Sequence, residues 1–450
     1  MRTIVCMLGV SLSGISLLQC QPAPVVTQQA VTKTTATNAR VAATDLPVTG
    51  YTLCYQQTFD TGTTPSASEW IYRTTDRLGG YNSASQVTVG NGSLNINYNY
   101  SGGNYYGGGV ISTHTFGYGF YEVRCSLYSA TPGLHQSFWT MGISPGTNSA
   151  NEGYSQMQND ELPQYNTALE IDGFEQNSSN AKLACNHHVY TPSHSSSISQ
   201  SVWPNPGSSW FTMGFEWRPD GITYYYKPDG ATAWTQVATK SLAASPWNVY
   251  APQNFWLSAL PVPGGDYGWG VATPPNAGAA MKVGHFNYYA KPLPGNNLIG
   301  NAGFEFTSAS TATDGYPIGW IESRTYGNTP DRSYVTTNAT NANYGERYLV
   351  HESYSTPYNC TTKQRLDYIP YGSYKLTAWV RSSGGQAVAR MRVIVGGVER
   401  YVNIPATSSW QQIAIDNIDV QSDDVVVAFT SNTDGPNQWI AVDSVIMVAK

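Results

Sequence analysis

The chain has 450 residues, of which 12% are charged and 13% aromatic, and its net charge is −6. That length suits two or three domains of roughly 100–200 residues, and the charged share is about half the usual value of roughly 25%. Without a basic face the chain is not a nucleic-acid binder. With 43 Gly and 32 Tyr but sparse Lys and Glu it is not a helical bundle, and at 41% hydrophobic it is not globally disordered.

At the start of the chain, Arg2 precedes a mostly apolar run from Ile4 to Leu18. The run is too short for a stable membrane span and reads as a secretory signal over residues 1–20. It closes on Leu17-Leu18-Gln19-Cys20, which resembles a bacterial lipoprotein signal, although Gln19 stands where that pattern prefers a small residue. Two outcomes stay open: lipidation at Cys20 or ordinary cleavage. The protein is expected to be secreted or held at the cell surface, touching a membrane only through Cys20. Residues 21–48, rich in Thr, Ala, Gln and Val, read as a flexible tether. Cys54, Cys125, Cys185 and Cys360 form no Cys-x-x-Cys pair, which argues against zinc. A disulfide among the first three and buried free thiols are equally open.

From Tyr51 onward short strand patterns alternate with turns. The predicted strands include Gln86–Val89, Leu94–Tyr98, Gly119–Tyr128, Ile222–Tyr226 and Phe255–Leu260, with Asn91-Gly92 and Asp220-Gly221 as hairpin signals. Many short strands without a helical period predict an all-β sandwich over residues 49–291. Residues 292–296 contain Pro292-Leu293-Pro294-Gly295 and read as a joint. Residues 297–450 are again strand-patterned, for example Tyr374–Val380, Ala389–Val395, Gln411–Ile415, Val425–Thr430 and Trp439–Val448, and suit a second, smaller sandwich.

The most informative stretch is Leu169-Glu170-Ile171-Asp172-Gly173-Phe174-Glu175, three acids within six residues of a charge-poor chain. On a strand, Glu170 and Asp172 share a face while Ile171 points the other way. Glu175 has the wrong parity unless a bulge inserts one residue, and Gly173 is the residue type for it. The two Glu would then be about 13 Å apart at Cα. Leaning together, their carboxyls reach about 5–6 Å, near the roughly 5–5.5 Å of a retaining glycosidase. Asp172 between them would orient a neighbour and raise its pKa, leaving one Glu as acid and the other as nucleophile. A solvated strand face and a calcium site are the other readings of three such acids.

This Glu-x-Asp-x-x-Glu signature resembles glycoside hydrolase family 16, the laminarinase, agarase and carrageenase type. Tyr118-Gly119-Phe120-Tyr121-Glu122-Val123-Arg124, Gly133-Leu134-His135-Gln136-Ser137-Phe138-Trp139 and Gly214-Phe215-Glu216-Trp217 followed by Asp220-Gly221-Ile222 are similar to flanking segments of that family. The resemblance implies a β-jelly-roll fold and retaining endo-glycanase activity needing no catalytic cofactor. It implies Glu170 as nucleophile, Asp172 as assisting carboxylate and Glu175 as acid/base. His135 and Gln136 replace the family's Trp-Pro, so the floor of the cleft is expected to differ. Ser144–Tyr165 reads as a long cleft loop.

Trp139, His188 and His135 are the expected substrate contacts. A Trp face suits a pyranose, with core packing as the other use of Trp139, and His187 competes with His188. Gly142-Ile143-Ser144-Pro145-Gly146 matches the nucleophile-elbow pattern, but no helix follows and Pro145 blocks one, so a serine hydrolase is set aside. Only nine Lys and Arg fall in residues 49–292, which favours a neutral β-1,3-glucan or agar-type galactan over a heavily sulfated one.

In the second region, Asn297–Glu305 and Trp439–Asp443 resemble the opening and closing segments of jelly-roll carbohydrate-binding modules. That resemblance implies a structural calcium held by Glu305 and Asp443. Tyr354, Tyr358, Trp379 and Trp439 are candidate sugar platforms, with alternation expected to bury Trp379 and Trp439. The whole reads as a monomeric, polysaccharide-hydrolysing endo-glycosidase. A non-catalytic surface glycan-binding lipoprotein and a transglycosylase on the same scaffold are the alternatives.

Overall fold

The computed structural model describes Ala43 and residues 45–74, 76, 78–128, 132–141, 169–177, 182–189, 195–196, 203–204, 206–242, 250, 252–265, 270–307, 313–315, 317, 319–324, 333–353 and 357–450. The signal segment 1–20 with Cys20, nearly all of the tether, the Gly142–Gly146 motif, the Ser144–Tyr165 insert and Tyr354 lie outside the described residues.

The protein is all-β. Among the described residues the one helical element is the short 3-10 turn Ala84–Gln86, and no helix is long and apolar enough to cross a membrane. The described strands form four sheets. The first runs from Thr235–Ser241 through Gly221–Pro228, Phe211–Arg218, Gly119–Ser126, Ala280–Ala290 and Ser93–Asn97 to Val87–Gly90, with Thr52–Thr58 joined to Ala280–Ala290. The second places Lys182–Val189, Leu169–Asn177, Leu134–Met141, Gln253–Pro261, Asn104–Phe116 and Trp70–Tyr72 side by side.

These two sheets close a jelly-roll sandwich over one aromatic-rich core. Phe255 stacks on Phe286 across it with ring centroids 3.6 Å apart, and Phe138 on Phe215 at 5.5 Å. Burying each such ring contributes about 1.5–3 kcal/mol, which fixes the spacing of the sheets and so the face that each strand residue presents. Cys54, Cys125 and Cys185 are thiols buried in this core, and Cys360 is a buried thiol as well.

Every strand named above from the sequence is present, most of them longer at one or both ends. Asn91-Gly92 forms a two-residue hairpin turn with φ of 55° and 70°, the left-handed pair such a turn needs. Asp220-Gly221 differs from expectation: Gly221 already pairs with Arg218 inside the ladder, so the turn is Pro219-Asp220.

After the turn at Leu293–Asn296 the chain enters the second pair of sheets. One contains Ser333–Thr337, Arg347–Ser353, Gln438–Ala449, Gly372–Ser382 and Thr407–Val420 in that order; the other contains Tyr358–Arg365, Val425–Thr433, Val388–Val395 and Val398–Asn403. They enclose a second apolar core. The two pairs of sheets touch directly. Tyr368 stacks on Phe116 at 5.7 Å, and the Thr115 amide donates to Asp367 Oδ2 at 3.2 Å.

Candidate active site

The acids lie on the strand Leu169–Asn177, between Lys182–Val189 and Leu134–Met141. Both ladders slip at one place. Asp172 pairs with Trp139 and Phe174 with Phe138, so two residues on the acid strand answer one on its neighbour. This is a β-bulge at Gly173. A Cβ there would lie 2.7 Å from Phe138 Cδ1 and Cε1, so the position accepts only glycine without repacking. The bulge restores the parity of Glu175. Ile171 and Phe174 are fully buried in the core, while Glu170, Asp172 and Glu175 line one pocket with Arg73, His135, Ser137, Trp139 and Leu260.

Neighbouring strands deliver the rest by alternation. On Leu134–Met141, His135, Ser137 and Trp139 reach the pocket, whereas Leu134 and Phe138 join the core. Gln136 also points inward. It is fully buried, exchanges hydrogen bonds with the Tyr128 backbone at 2.9 Å, and donates to Gln176. Of the two residues expected at the cleft floor, only His135 lines the pocket.

On Lys182–Val189, His188 pairs with Glu170 and Asn186 with Asp172, whereas His187 pairs with Ile171 on the core side. Register thus sets His188, and not His187, on the face that carries the acids. His188 Nε2 lies 3.3 Å from Asp172 Oδ2. His187 is buried, and burial followed by the nearby His188 and Lys240 pushes its pKa down to about 4.

Glu175 is held by two partners. His135 Nε2 is 3.3 Å from its Oε1, and Asn186 Nδ2 donates to its Oε2 at 3.0 Å. Burial pushes the Glu175 pKa up, but the hydrogen bond and charge of His135, the Asn186 bond and the charge of His188 together hold it below the usual carboxylate value. Asp172 is 2% exposed. One oxygen each of Glu170 and Asp172 and a ring nitrogen of His188 lie within 4.8 Å of one another. Among the described residues this is the one grouping of three such side chains close enough to hold a cation.

Trp139 both borders the pocket and packs against a neighbouring ring. It lines the pocket, yet is only 7% exposed because it stacks on Trp256 at 4.6 Å. Its indole N–H donates to Ser258 Oγ at 3.1 Å, and Arg73 Nη1 donates to the same oxygen at 2.6 Å. The Arg73 guanidinium lies 5.7 Å from the Trp139 ring and 5.3 Å from Trp256, within cation–π range. Arg73, Ser137, Asn186 and Leu260 were not anticipated. Asn186 was findable, since it shares strand parity with His188. Arg73 was not, because only tertiary pairing brings it to the acids.

Glu305 and Asp443 flank one turn of the second sandwich. Glu305 Oε1 accepts the amides of Glu346 and Arg347 at 3.0 and 3.2 Å; Asp443 Oδ2 accepts those of Asn343 and Tyr344 at 2.9 and 3.0 Å. Burial raises the Asp443 pKa to about 6 despite these bonds. A buried carboxylate of this kind suits a hard cation. Tyr358 is buried in the interior, but Trp379 and Trp439 are half-buried rather than buried as expected.

Residues 75–258 match the family model described as glycosyl hydrolases family 16. No curated protein matches the chain. Among solved structures it is similar to LamAcat from Zobellia galactanivorans, at 19% identity and TM-score 0.42 over 53% of this chain and 97% of that one. It is similar to the Bacillus licheniformis beta-glucanase at 18% and 0.38, over 52% and 96%. It is also similar to TmCBM61 in complex with beta-1,4-galactotriose at 21% and 0.29, over 34% and 99%. Residues 75–258, which hold all three acids of the bulged strand, are a glycoside hydrolase family 16 domain.

Proposed function

We propose that the protein is a retaining endo-β-glycanase in which Glu170 is the nucleophile, Glu175 the acid/base and Asp172 the assisting carboxylate. The observation that carries this reading is the bulge at Gly173, which turns three acids of mixed parity into one pocket lining. Glu175 protonates the leaving oxygen while Glu170 attacks the anomeric carbon. The glycosyl–Glu170 ester is then hydrolysed by water that Glu175 deprotonates. Asp172, tied to His188, orients Glu170 from the same face. Trp139 and His135 border the sugar, and Arg73 fixes Trp139 through Ser258.

The substrate class we favour is a neutral β-1,3-glucan or an agar-type galactan. Arg73 is 1% exposed and engaged with Ser258 and two indoles, so it is placed as a buttress rather than as a sulfate receptor. We further propose export through the 1–20 signal, with lipidation at Cys20, a monomeric state, and a structural calcium at Glu305 and Asp443. The test is digestion of β-1,3-glucan, mixed-linkage glucan, agarose, carrageenan and porphyran with product sizing and anomer assignment by NMR. Short products of retained configuration support the reading. Products longer than the substrate would mean a sugar acceptor, and binding without release would mean a lectin.

A further inference from the structure

The second sandwich grips the first at the end of one strand. Asn104–Phe116 closes on His114, Thr115 and Phe116, and Asp367 and Tyr368 meet all three. The Tyr368 ring stacks on Phe116 at 5.7 Å and meets His114 edge-on at 5.2 Å. Asp367 Oδ2 accepts the Thr115 amide at 3.2 Å and lies 3.8 Å from His114 Nδ1, while Arg365 donates to Oδ1. Tyr368 has a φ of 59°, uncommon for a bulky side chain. Such backbone strain persists only where the surroundings over-determine it. Here the Tyr368 amide donates to Asp423 O at 2.9 Å, and Tyr55, His114 and Phe116 surround the ring.

The gripped strand lies between two strands that furnish the cleft. On one side it pairs with Gln253–Pro261, which carries Trp256 and Ser258. On the other it pairs with the edge strand Trp70–Tyr72. An edge strand ladders to one neighbour, so that neighbour sets its position. The segment from Glu69 to Arg73 runs from the interface to the cleft, about 13 Å. At its start Glu69 O accepts the Thr113 amide at 2.9 Å, and Glu69 Oε2 lies 3.3 Å from His114 Nε2. In its middle Ile71 packs with Ile111 against Trp139 and Trp256. At its end the Arg73 amide donates to Gly109 O at 2.9 Å, and the guanidinium holds Ser258. A Cβ on Gly109 would lie 2.6 Å from Arg73 Cδ, so the Arg73 side chain rests on the backbone of the gripped strand.

We infer, on the reading of the protein as a polysaccharide hydrolase, that Asp367 and Tyr368 are positioning residues for hydrolysis. They fix the end of Asn104–Phe116 and, through the Glu69–Arg73 segment, the Arg73 and Trp139 side chains at the acids. The second sandwich is thereby part of the hydrolytic unit. A misplacement of about 1 Å at the reacting centre costs up to about 10²-fold in rate, so a small slip of this strand reaches the chemistry. A module that only tethers polymer would leave turnover of a short oligosaccharide untouched.

The test is steady-state kinetics of the full chain on soluble β-1,3-gluco- and agaro-oligosaccharides, well below each variant's Tm. Circular dichroism of the same proteins reads the exciton couplet of the stacked Trp139 and Trp256, identified by its loss in Trp256→Phe. Tyr368→Gly suits the left-handed backbone and removes the ring; Asp367→Ala removes the acceptor of the Thr115 amide. Each should lower kcat/KM at least about tenfold and weaken the couplet. Tyr368→Phe keeps the ring and should match the wild type in both. Unchanged kcat/KM in Tyr368→Gly and Asp367→Ala overturns the inference. So does a loss confined to long polymers, or a loss with an unaltered couplet. If the wild type cleaves none of these substrates, the hydrolase reading fails. A couplet weakened in Tyr368→Gly and kept in Tyr368→Phe would then leave the positioning of Trp139 standing.

Discussion

His135 Nε2 lies 3.3 Å from Glu175 Oε1, so the carboxylate assigned as proton donor has an imidazole as a direct partner. An acid must be protonated to act, yet this contact favours its ionised form. The cleft therefore balances two demands on one group: burial favours the neutral acid, and His135, Asn186 and His188 favour the carboxylate.

Replacing His135 by Ala removes the strongest of the lowering interactions and should raise the Glu175 pKa. The alkaline limb of the kcat/KM profile reports the acid in the free enzyme, so it should move to higher pH in the variant. An unmoved limb, or one displaced to lower pH, would contradict this role for His135.

The two Glu roles separate by chemical rescue. Glu170→Gly and Glu175→Gly should each lower kcat by at least about 10²–10⁴-fold. On an activated β-glycoside, azide should restore turnover in both. Azide replaces the missing nucleophile in Glu170→Gly and yields the inverted glycosyl azide. In Glu175→Gly it attacks the glycosyl-enzyme and yields the retained one. The opposite pattern would exchange the assignments.

Gly173→Ala should lose stability and activity together. Its Cβ would enter the Phe138 ring edge at 2.7 Å, and overpacking of this kind costs about 1–3 kcal/mol. Thermal unfolding and kcat read the two effects. A variant with normal Tm and kcat would mean that the bulge is not needed to align Glu175 with Glu170.

A second titration lies where the two sandwiches meet. His114 faces Glu69 at 3.3 Å and Asp367 at 3.8 Å, beside Tyr55 and Tyr368, and Arg365 shares Asp367 at 3.2 Å. Burial lowers the His114 pKa, but Asp367 and Glu69 outweigh it and hold it at about 9. A raised folded pKa contributes stability that is full below the ordinary value of about 6.5 and is lost as pH rises through about 9. Tm should therefore fall across that window, and His114→Gln should flatten the fall. Equal slopes in the two proteins would contradict the coupling.

Much of the cleft was legible because a strand has a period of two. Given one glycine-marked slip, the parity of Glu170, Asp172 and Glu175 followed from spacing alone. The same rule explains why His188, and not His187, meets Asp172. Gln136 shows the limit of motif comparison: it stands in a cleft motif but faces inward, where its amide closes on the Tyr128 backbone. Arg73 was illegible because its place beside Trp139 depends on the pairing of Trp70–Tyr72 with Asn104–Phe116 and of the latter with Gln253–Pro261. Trp379 and Trp439 were expected inside, but alternation sets them on the outer face of their sheet, opposite Val380 and Ile440.

Reducing-end release from the polysaccharide panel decides whether three acids on one bulged strand hydrolyse a β-linked polysaccharide. Wild-type, Glu170→Gln and Glu175→Gln proteins would be compared at matched Tm. Oligosaccharide release from at least one β-glycan is expected of the wild type, with loss of that release in both variants. Release that persists at the wild-type rate in either variant, or no release from any polymer by the wild type, would contradict that role of the acids.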